Sequence, residues 1–299
     1  MKTVILAGTD NLAFSAADLL NPKELKLIGF ATAIKQAWNI YDENGTVKEQ
    51  IEEMPVMPLD VAVGMEPDSI ILVSGTREED EALKYGLYRG NYRGEVISLF
   101  DFFQQFSLKT AAVRKMVWRL NSLGVKGAAA DLGAGRGDIS WQLNALMPER
   151  KLYLFDTFAG YDERDVAIEK KRALSDAKTG EYAFSLRERE HLEEKILSRM
   201  PYRDMVEIRA GWFPETAYDL EEEKYALVHI DTGLYQPTYT GIQYFFSRLE
   251  RGGVIFVSGY EYGKNAGVRQ AVDDLEEKYG AFLITPVNDL EGTIIITHP

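Results

Sequence analysis

Cysteine is absent from all 299 residues, which excludes disulfides, thiolate metal sites and cysteine nucleophiles. Histidine is nearly as scarce, and His191, His229 and His298 are too few for a histidine-rich metal cluster. No apolar run is long enough to span a bilayer, and the apolar residues 4–7 after Met1-Lys2-Thr3 are too few for a signal peptide. Positive charge is in deficit: 34 Lys and Arg stand against 47 Asp and Glu, for a net charge of -13. An acidic surface repels nucleic acid and anionic membrane, leaving a small molecule as the expected partner. The expectation is a cytoplasmic protein that binds neither nucleic acid nor membrane, with a homodimer left open.

What is present is the balance of an ordinary globular protein, 45% hydrophobic and 27% charged, which excludes disorder for most of the chain. The length suffices for two domains. Residues 1–100 read as a small Rossmann-like α/β accessory domain, with strands at 4–7, 25–31, 69–74 and 95–99 and helices at 13–20 and 78–88. The turn after its first strand, Gly8-Thr9-Asp10-Asn11, has one glycine and no visible chemistry. A recognition role and a packing or dimerisation role are both open for it. Residues 101–125 read as one helical connection, with Phe102, Phe103, Phe106, Val113, Val117 and Leu120 at roughly helical spacing and assigned to packing between the two domains. Strand-helix alternation then resumes and continues through 126–299.

The second domain is organised around Asp131-Leu132-Gly133-Ala134-Gly135-Arg136-Gly137-Asp138, the end of a buried strand, a glycine turn and the start of a helix. Alternate glycines allow positive φ and leave no Cβ to collide with a ligand lying across the turn. A dinucleotide turn is spaced G-x-G-x-x-G, so that a pyrophosphate sits on the helix N-terminus. Here the spacing is D-x-G-x-G-x-G, and Asp131 and Asp138 flank it. Two carboxylates repel a phosphate and suit a cation. That favours S-adenosylmethionine, with its sulfonium and ammonium, over a nicotinamide dinucleotide. The next buried run, 151–155, ends on Asp156, where an acid hydrogen-bonds ribose hydroxyls in doubly wound nucleoside sites.

Residues 161–200 are densely charged and lack a strand pattern. Arg189 and Glu193 have the spacing of neighbours on an exposed helix. An insertion after the second strand opens over the ligand crevice, so a mobile lid is expected there. Strands follow at 205–210 and 225–230, the latter delivering Asp231, and at 254–257, delivering Ser258, Gly259 and Tyr260. Runs 282–287 and 293–297 are close enough to form a hairpin, so one of them is antiparallel to the rest.

Four ordered motifs carry a family resemblance: Tyr153-Leu154-Phe155-Asp156-Thr157-Phe158-Ala159-Gly160, Gly211-Trp212-Phe213-Pro214-Glu215-Thr216, His229-Ile230-Asp231-Thr232-Gly233-Leu234-Tyr235-Gln236-Pro237-Thr238, and Arg248-Leu249 followed by Gly252-Gly253-Val254-Ile255. Over about the last two thirds of the chain, the sequence resembles the macrocin O-methyltransferase family. The resemblance implies an α/β fold: a doubly wound, Rossmann-like methyltransferase sheet with a C-terminal antiparallel hairpin, preceded here by the smaller α/β domain. It implies an S-adenosylmethionine-dependent O-methyltransferase acting on a hydroxyl of a sugar or other small molecule. Asp131, Gly133, Gly135 and Gly137 would line the methionine end of the cofactor and Asp156 the ribose, with Thr157, Phe158, Gly211 and Trp212 as further cofactor-binding positions.

The resemblance also implies a magnesium site with Asp231 as ligand and general base. There the chain departs from the family. The D-x-D-L-Y motif appears as Asp231-Thr232-Gly233-Leu234-Tyr235, and the acid of D-D-Y or H-D-Y is missing from Ser258-Gly259-Tyr260. A lone Asp231 holds magnesium poorly against bulk water, so no metal ligands are assigned. Glu261 is the one nearby replacement ligand. Asp231 is the best-placed catalytic base, ahead of Tyr260, Glu261 and His229, the last read as a satisfied core histidine. A protein that binds S-adenosylmethionine without methylating, as sensor or assembly partner, is the alternative that the missing acids suggest.

Overall fold

The computed structural model describes residues 1–8, 12–32, 50–51, 54–261 and 266–299. The chain divides into two compact units, Met1–Ser107 with Asn288–Leu290, and Leu108–Val287 with Glu291–Pro299.

The first unit holds β1 (Lys2–Gly8), α1 (Leu12–Asp18), β2 (Leu25–Thr32), β3 (Gln50–Ile51), β4 (Met54–Pro58), α2 (Leu59–Gly64), β5 (Ser69–Val73), α3 (Arg77–Arg89), β6 (Glu95–Ser98) and α4 (Leu99–Phe103). Its strands form one six-stranded sheet in the order β3-β4-β2-β1-β5-β6, parallel except where β3 meets β4. Ile5, Ile70, Leu72, Leu83 and Leu87 make its core. The helix start at α3 is written locally: Thr76 accepts from the Glu79 N–H while the Glu79 carboxylate accepts from the Thr76 N–H. Sequence patterning missed β4, whose Pro55 and Pro58 argue against a strand. Residues 9–11, the turn singled out after β1, lie outside the described residues.

The single helix expected over 101–125 is instead two, α4 and α5 (Leu108–Leu123). Its aromatic stripe is not core, since Phe102 and Phe106 are exposed and stack on each other at 4.8 Å. Val113, Val117 and Leu120 of α5 are buried with Ala129, Leu154 and Phe256, within the second unit's own core.

The second unit continues with β7 (Ala128–Leu132), α6 (Asp138–Leu146), β8 (Leu152–Asp156), α7 (Glu163–Arg172), α8 (Leu186–Arg189), α9 (Leu192–Arg199), β9 (Val206–Ala210), β10 (Tyr225–Ile230), α10 (Tyr235–Phe246), β11 (Leu249–Val257), α11 (Ala266–Tyr279), β12 (Leu283–Pro286) and β13 (Ile294–Thr297). The seven strands lie in the order β12-β13-β11-β10-β7-β8-β9. β7 to β11 are parallel, and β13 is the antiparallel strand of the terminal hairpin. This is the doubly wound, Rossmann-like sheet expected from the strand-helix alternation. Every residue of β7 and β10 is buried, as strands covered on both faces must be. From β7 the chain winds out to β9 and then returns to β10 on the other side. The reversal leaves a crevice at the carboxyl ends of β7 and β10, where ligands of open α/β sheets bind.

The charged segment between β8 and β9 is anchored by apolar residues at both ends. Leu192, Ile196 and Met200 pack with Leu143 and Leu154, and Val166 packs with Ala177 and Leu234. Arg189 and Glu193 do not share a helix, because Glu190 and His191 separate α8 from α9. Among the described residues no helix is long and apolar enough to cross a membrane.

Candidate functional site

At the carboxyl ends of the second unit's parallel strands lies a cavity of about 690 Å³. Its floor is the turn after β7 with the ends of β8 to β11, and Tyr161, Asp165, Tyr182 and Phe184 of the inserted segment form its other wall.

Gly133 and Gly135 line the cavity for different reasons. At Gly133 (φ +84°) a Cβ would come within 2.2 Å of the Asp231 carbonyl oxygen, so glycine is required where the ends of β7 and β10 meet. At Gly135 (φ +53°) a Cβ would meet nothing within 4 Å, and the backbone faces open space. The Gly135 N–H donates to Asp156 Oδ2 at 2.8 Å, and the Phe158 N–H donates to Oδ1 at 2.6 Å. Burial raises the Asp156 carboxyl above the usual carboxylate range, against the lowering by these two donors, and nearby Asp131 adds to the rise. Asp156 and Thr157 line the cavity, the Thr157 hydroxyl donating to the Gly160 carbonyl at 2.7 Å. Asp138 lines it as well and pairs with Arg199 at 2.7 Å.

Three residues expected at the cofactor stand behind this wall instead. Asp131 is 1% exposed, accepting from Ser140 and bonded to His229 Nδ1 at 2.8 Å. Gly137 (φ +77°) leaves room for Ile196 of α9, which a Cβ would approach to 3.1 Å. Phe158 is buried and contacts Phe184 with ring centroids 6.4 Å apart. The physical reason is shared: they shape and brace the turn rather than face its open side.

Gly211 and Trp212 reach the cavity from the end of β9. The indole N–H donates to Asp165 Oδ2 at 3.1 Å, and the Arg164 guanidinium lies 3.9 Å from the ring centroid. Asp165 is 4% exposed and its other oxygen has no hydrogen-bond partner among the described residues. Burial pushes its carboxyl up to about 6, only partly offset by the indole N–H. Sequence reading missed Asp165 because it sits in a charge run, where a solvated face is the default.

Asp231 lines the cavity from the end of β10, its N–H donating to the Leu132 carbonyl at 2.8 Å. Its carboxylate is about half exposed and lies 3.7 Å from the ammonium of Lys109, which is buried in the first turn of α5. The ammonium also donates to Ser258 Oγ at 2.9 Å and to the Glu291 carboxylate. Ser258 Oγ is 3.1 Å from His229 Nε2. Because ionised Asp131 only accepts, His229 carries its proton on Nδ1, and the Ser258 hydroxyl donates to Nε2 while accepting from Lys109. His229 is thus buried and satisfied, as expected, yet it joins the glycine turn to the Lys109 cluster. Tyr260 and Glu261 do not line the cavity, and Glu261 is exposed.

These residues do not fit magnesium. No group of three or more His, Cys, Asp or Glu among the described residues could hold a metal ion. An ammonium already stands between the two acids of the cluster, Asp231 and Glu291, and repels a dication. The other end suits S-adenosylmethionine: an open backbone approach at Gly135, a half-buried acid for hydroxyls and an indole face, while Arg136 of the turn is paired with Glu188.

Comparison with known proteins gives a consistent picture. The family model described as macrocin-O-methyltransferase (TylF) matches residues 108–296. A relative from Streptomyces olivaceus, 8-demethyl-8-(2,3-dimethoxy-alpha-L-rhamnosyl)-tetracenomycin-C 4'-O-methyltransferase, is 26% identical over 179 residues, 57% of this chain and 65% of its own length. The chain therefore matches less than two thirds of that relative. The calicheamicin methyltransferase CalS11 superposes with a TM-score of 0.52 at 17% identity, covering 75% of this chain and 87% of its own. The O-methyltransferase NovP does so with a TM-score of 0.50 at 19% identity, covering 64% and 79%. At these identities the two structures establish a shared fold.

Proposed function

This chain belongs to the macrocin-O-methyltransferase family, and from that premise we propose that its second unit transfers a methyl group from S-adenosylmethionine to a hydroxyl of a sugar-like small molecule, without magnesium. The observation that carries this is the open backbone at Gly135, tied by its N–H to a half-buried Asp156 in the cavity that Asp231 also lines.

S-adenosylmethionine supplies an electrophilic methyl on a sulfonium. The chain's own residues do the rest. Gly135 lets the ligand lie against the backbone, and Asp156, oriented by two N–H donors, accepts from ribose hydroxyls. Trp212, fixed between Asp165 and Arg164, presents a flat face to the purine. Asp138, at the mouth of the turn, favours the cationic end. Asp231 takes the proton from the acceptor hydroxyl as its oxygen bonds the methyl carbon and the carbon–sulfur bond breaks. Most of the rate comes from holding oxygen, carbon and sulfur in line. Tyr161, Tyr182 and Phe184 belong to the inserted segment, which acts as the lid and keeps water out. The protein works in the cytoplasm, and its first unit is an accessory domain.

Calorimetric titration with S-adenosylmethionine tests the cofactor. Gly135→Val fills the open approach, so its expected effect is loss of detectable binding, and unchanged affinity would refute the placement. Mass spectrometry of sugar nucleotides and glycosides after incubation tests transfer. A second reading, binding without transfer, is favoured by the ammonium beside Asp231; binding with no methylated product across that panel would establish it.

A further inference from the structure

We propose that the Lys109 ammonium is the fixed positive charge of this site, standing in for the magnesium that the family implies and holding the acceptor oxygen while Asp231 takes its proton. The proposal rests on the methyl-transfer reading above. It starts from four side chains remote in sequence: Lys109 from the start of α5, Asp231 from the end of β10, Ser258 from the end of β11, and Glu291 before β13.

The resemblance puts Asp or His followed by Asp at the end of β11. Here those places are taken by Ser258 and Gly259, and the neutral Ser258 hydroxyl accepts from Lys109 and donates its own hydrogen to His229. A carboxylate there would face the Asp131–His229 pair. A hydroxyl suits an ammonium, as a carboxylate suits a metal. Glu291 gives the ammonium a second, charged acceptor. Lys109 is 7% exposed, so its charge is held in place.

The separation of 3.7 Å between Lys109 Nζ and Asp231 Oδ2 is too long for a hydrogen bond. A hydroxyl oxygen within reach of both accepts from the ammonium and donates to the carboxylate. As that oxygen attacks, its proton passes to Asp231, the carbon–sulfur electron pair goes to sulfur, and Lys109 keeps all its protons. The ammonium stabilises charge growing on the oxygen, the electrostatic task a metal performs elsewhere.

The test is a manganese titration of the full chain followed by electron paramagnetic resonance, with S-adenosylhomocysteine affinity measured beside it by calorimetry. The wild type is expected to leave millimolar manganese free and to methylate equally in magnesium and in chelator. Lys109→Met exposes two acids without their counter-charge, so manganese affinity is expected to rise roughly tenfold or more, with S-adenosylhomocysteine affinity retained. Turnover should fall in Lys109→Met and be partly retained in Lys109→Arg. Manganese binding by the wild type, or loss of its turnover in chelator, overturns the proposal and needs no variant. So does a Lys109→Met protein that binds S-adenosylhomocysteine and turns over like the wild type. Failure of the methyl-transfer reading would show separately, as a wild type that binds no S-adenosylhomocysteine.

Discussion

The cavity has two ends built from different materials. At the β7–β8 end the lining is backbone: the N–H groups of Gly135 and Phe158 fix one carboxylate, and absent side chains make the space. At the β10–β11 end stand charged side chains from three separate stretches, Lys109, Asp231 and Glu291, joined through Ser258 and His229 to Asp131. A backbone cradle is encoded in consecutive residues and has few ways to vary. A side-chain cluster is assembled by the fold, and one acid can be exchanged for a hydroxyl and an ammonium while the strands stay put.

That contrast can be broken most sharply at Asp231. Asp231→Asn keeps the size of the side chain but cannot take a proton, so kcat is expected to fall by roughly 10²- to 10⁴-fold with cofactor affinity nearly unchanged. Single-turnover kinetics beside calorimetry would check it. Equal losses in both would mean that the two ends are not separable.

Gly133→Ala attacks the seam between them. Its Cβ would lie 2.2 Å from the Asp231 carbonyl oxygen at φ +84°, and the strands must part or the turn must change. A loss of roughly 3 kcal/mol or more in urea unfolding is expected. Gly135→Ala, with open space and φ +53°, should cost only about 1 kcal/mol, because strain alone remains.

Asp165 gives a pH-dependent prediction. Its carboxyl is pushed up to about 6 by burial, so the folded protein resists the charged form. Stability from the neutral carboxyl is present below the ordinary aspartate pKa and is lost as pH rises through about 6. Asp165→Asn keeps an acceptor for the Trp212 N–H and removes the charge. It should therefore stabilise the protein at pH 8 by roughly 2–3 kcal/mol, an advantage that shrinks as pH falls toward 4. Thermal unfolding across that range would check it, and a gain independent of pH would point to packing instead.

The smallest effect is expected at the rim. Arg199→Ala removes an ion pair with Asp138 between two well-exposed side chains, and should change stability by less than about 1 kcal/mol. A larger loss in thermal unfolding would assign α9 a structural role through its charge as well as its buried Ile196.

Much of the parallel sheet could be read from the sequence, because buried strands alternating with amphipathic helices leave a periodic trace. The antiparallel hairpin followed from the short separation of its strands. What failed were segments whose local signals conflict with their place: the proline-containing β4, and the exposed Phe102 and Phe106, whose spacing suggests core. At the site, Gly133, Gly135, Asp156, Thr157, Gly211, Trp212 and Asp231 all line one cavity. Asp131, Gly137 and Phe158 belong to the same motifs but face inward, a distinction that spacing alone cannot draw.

By itself, then, the sequence determined a glycine turn that positive φ requires, an acid at the next strand end, and the departure from a metal-binding set of acids. These are local, because backbone conformation depends on neighbours in the chain. Only the tertiary structure decided that Lys109, one residue of the stretch 101–125 read as a helical connection, comes within 3.7 Å of Asp231, and that Asp165 in a charge run is buried against Trp212. Coulombic and hydrogen-bond partners act through space, and the fold sets distances between residues far apart in the chain.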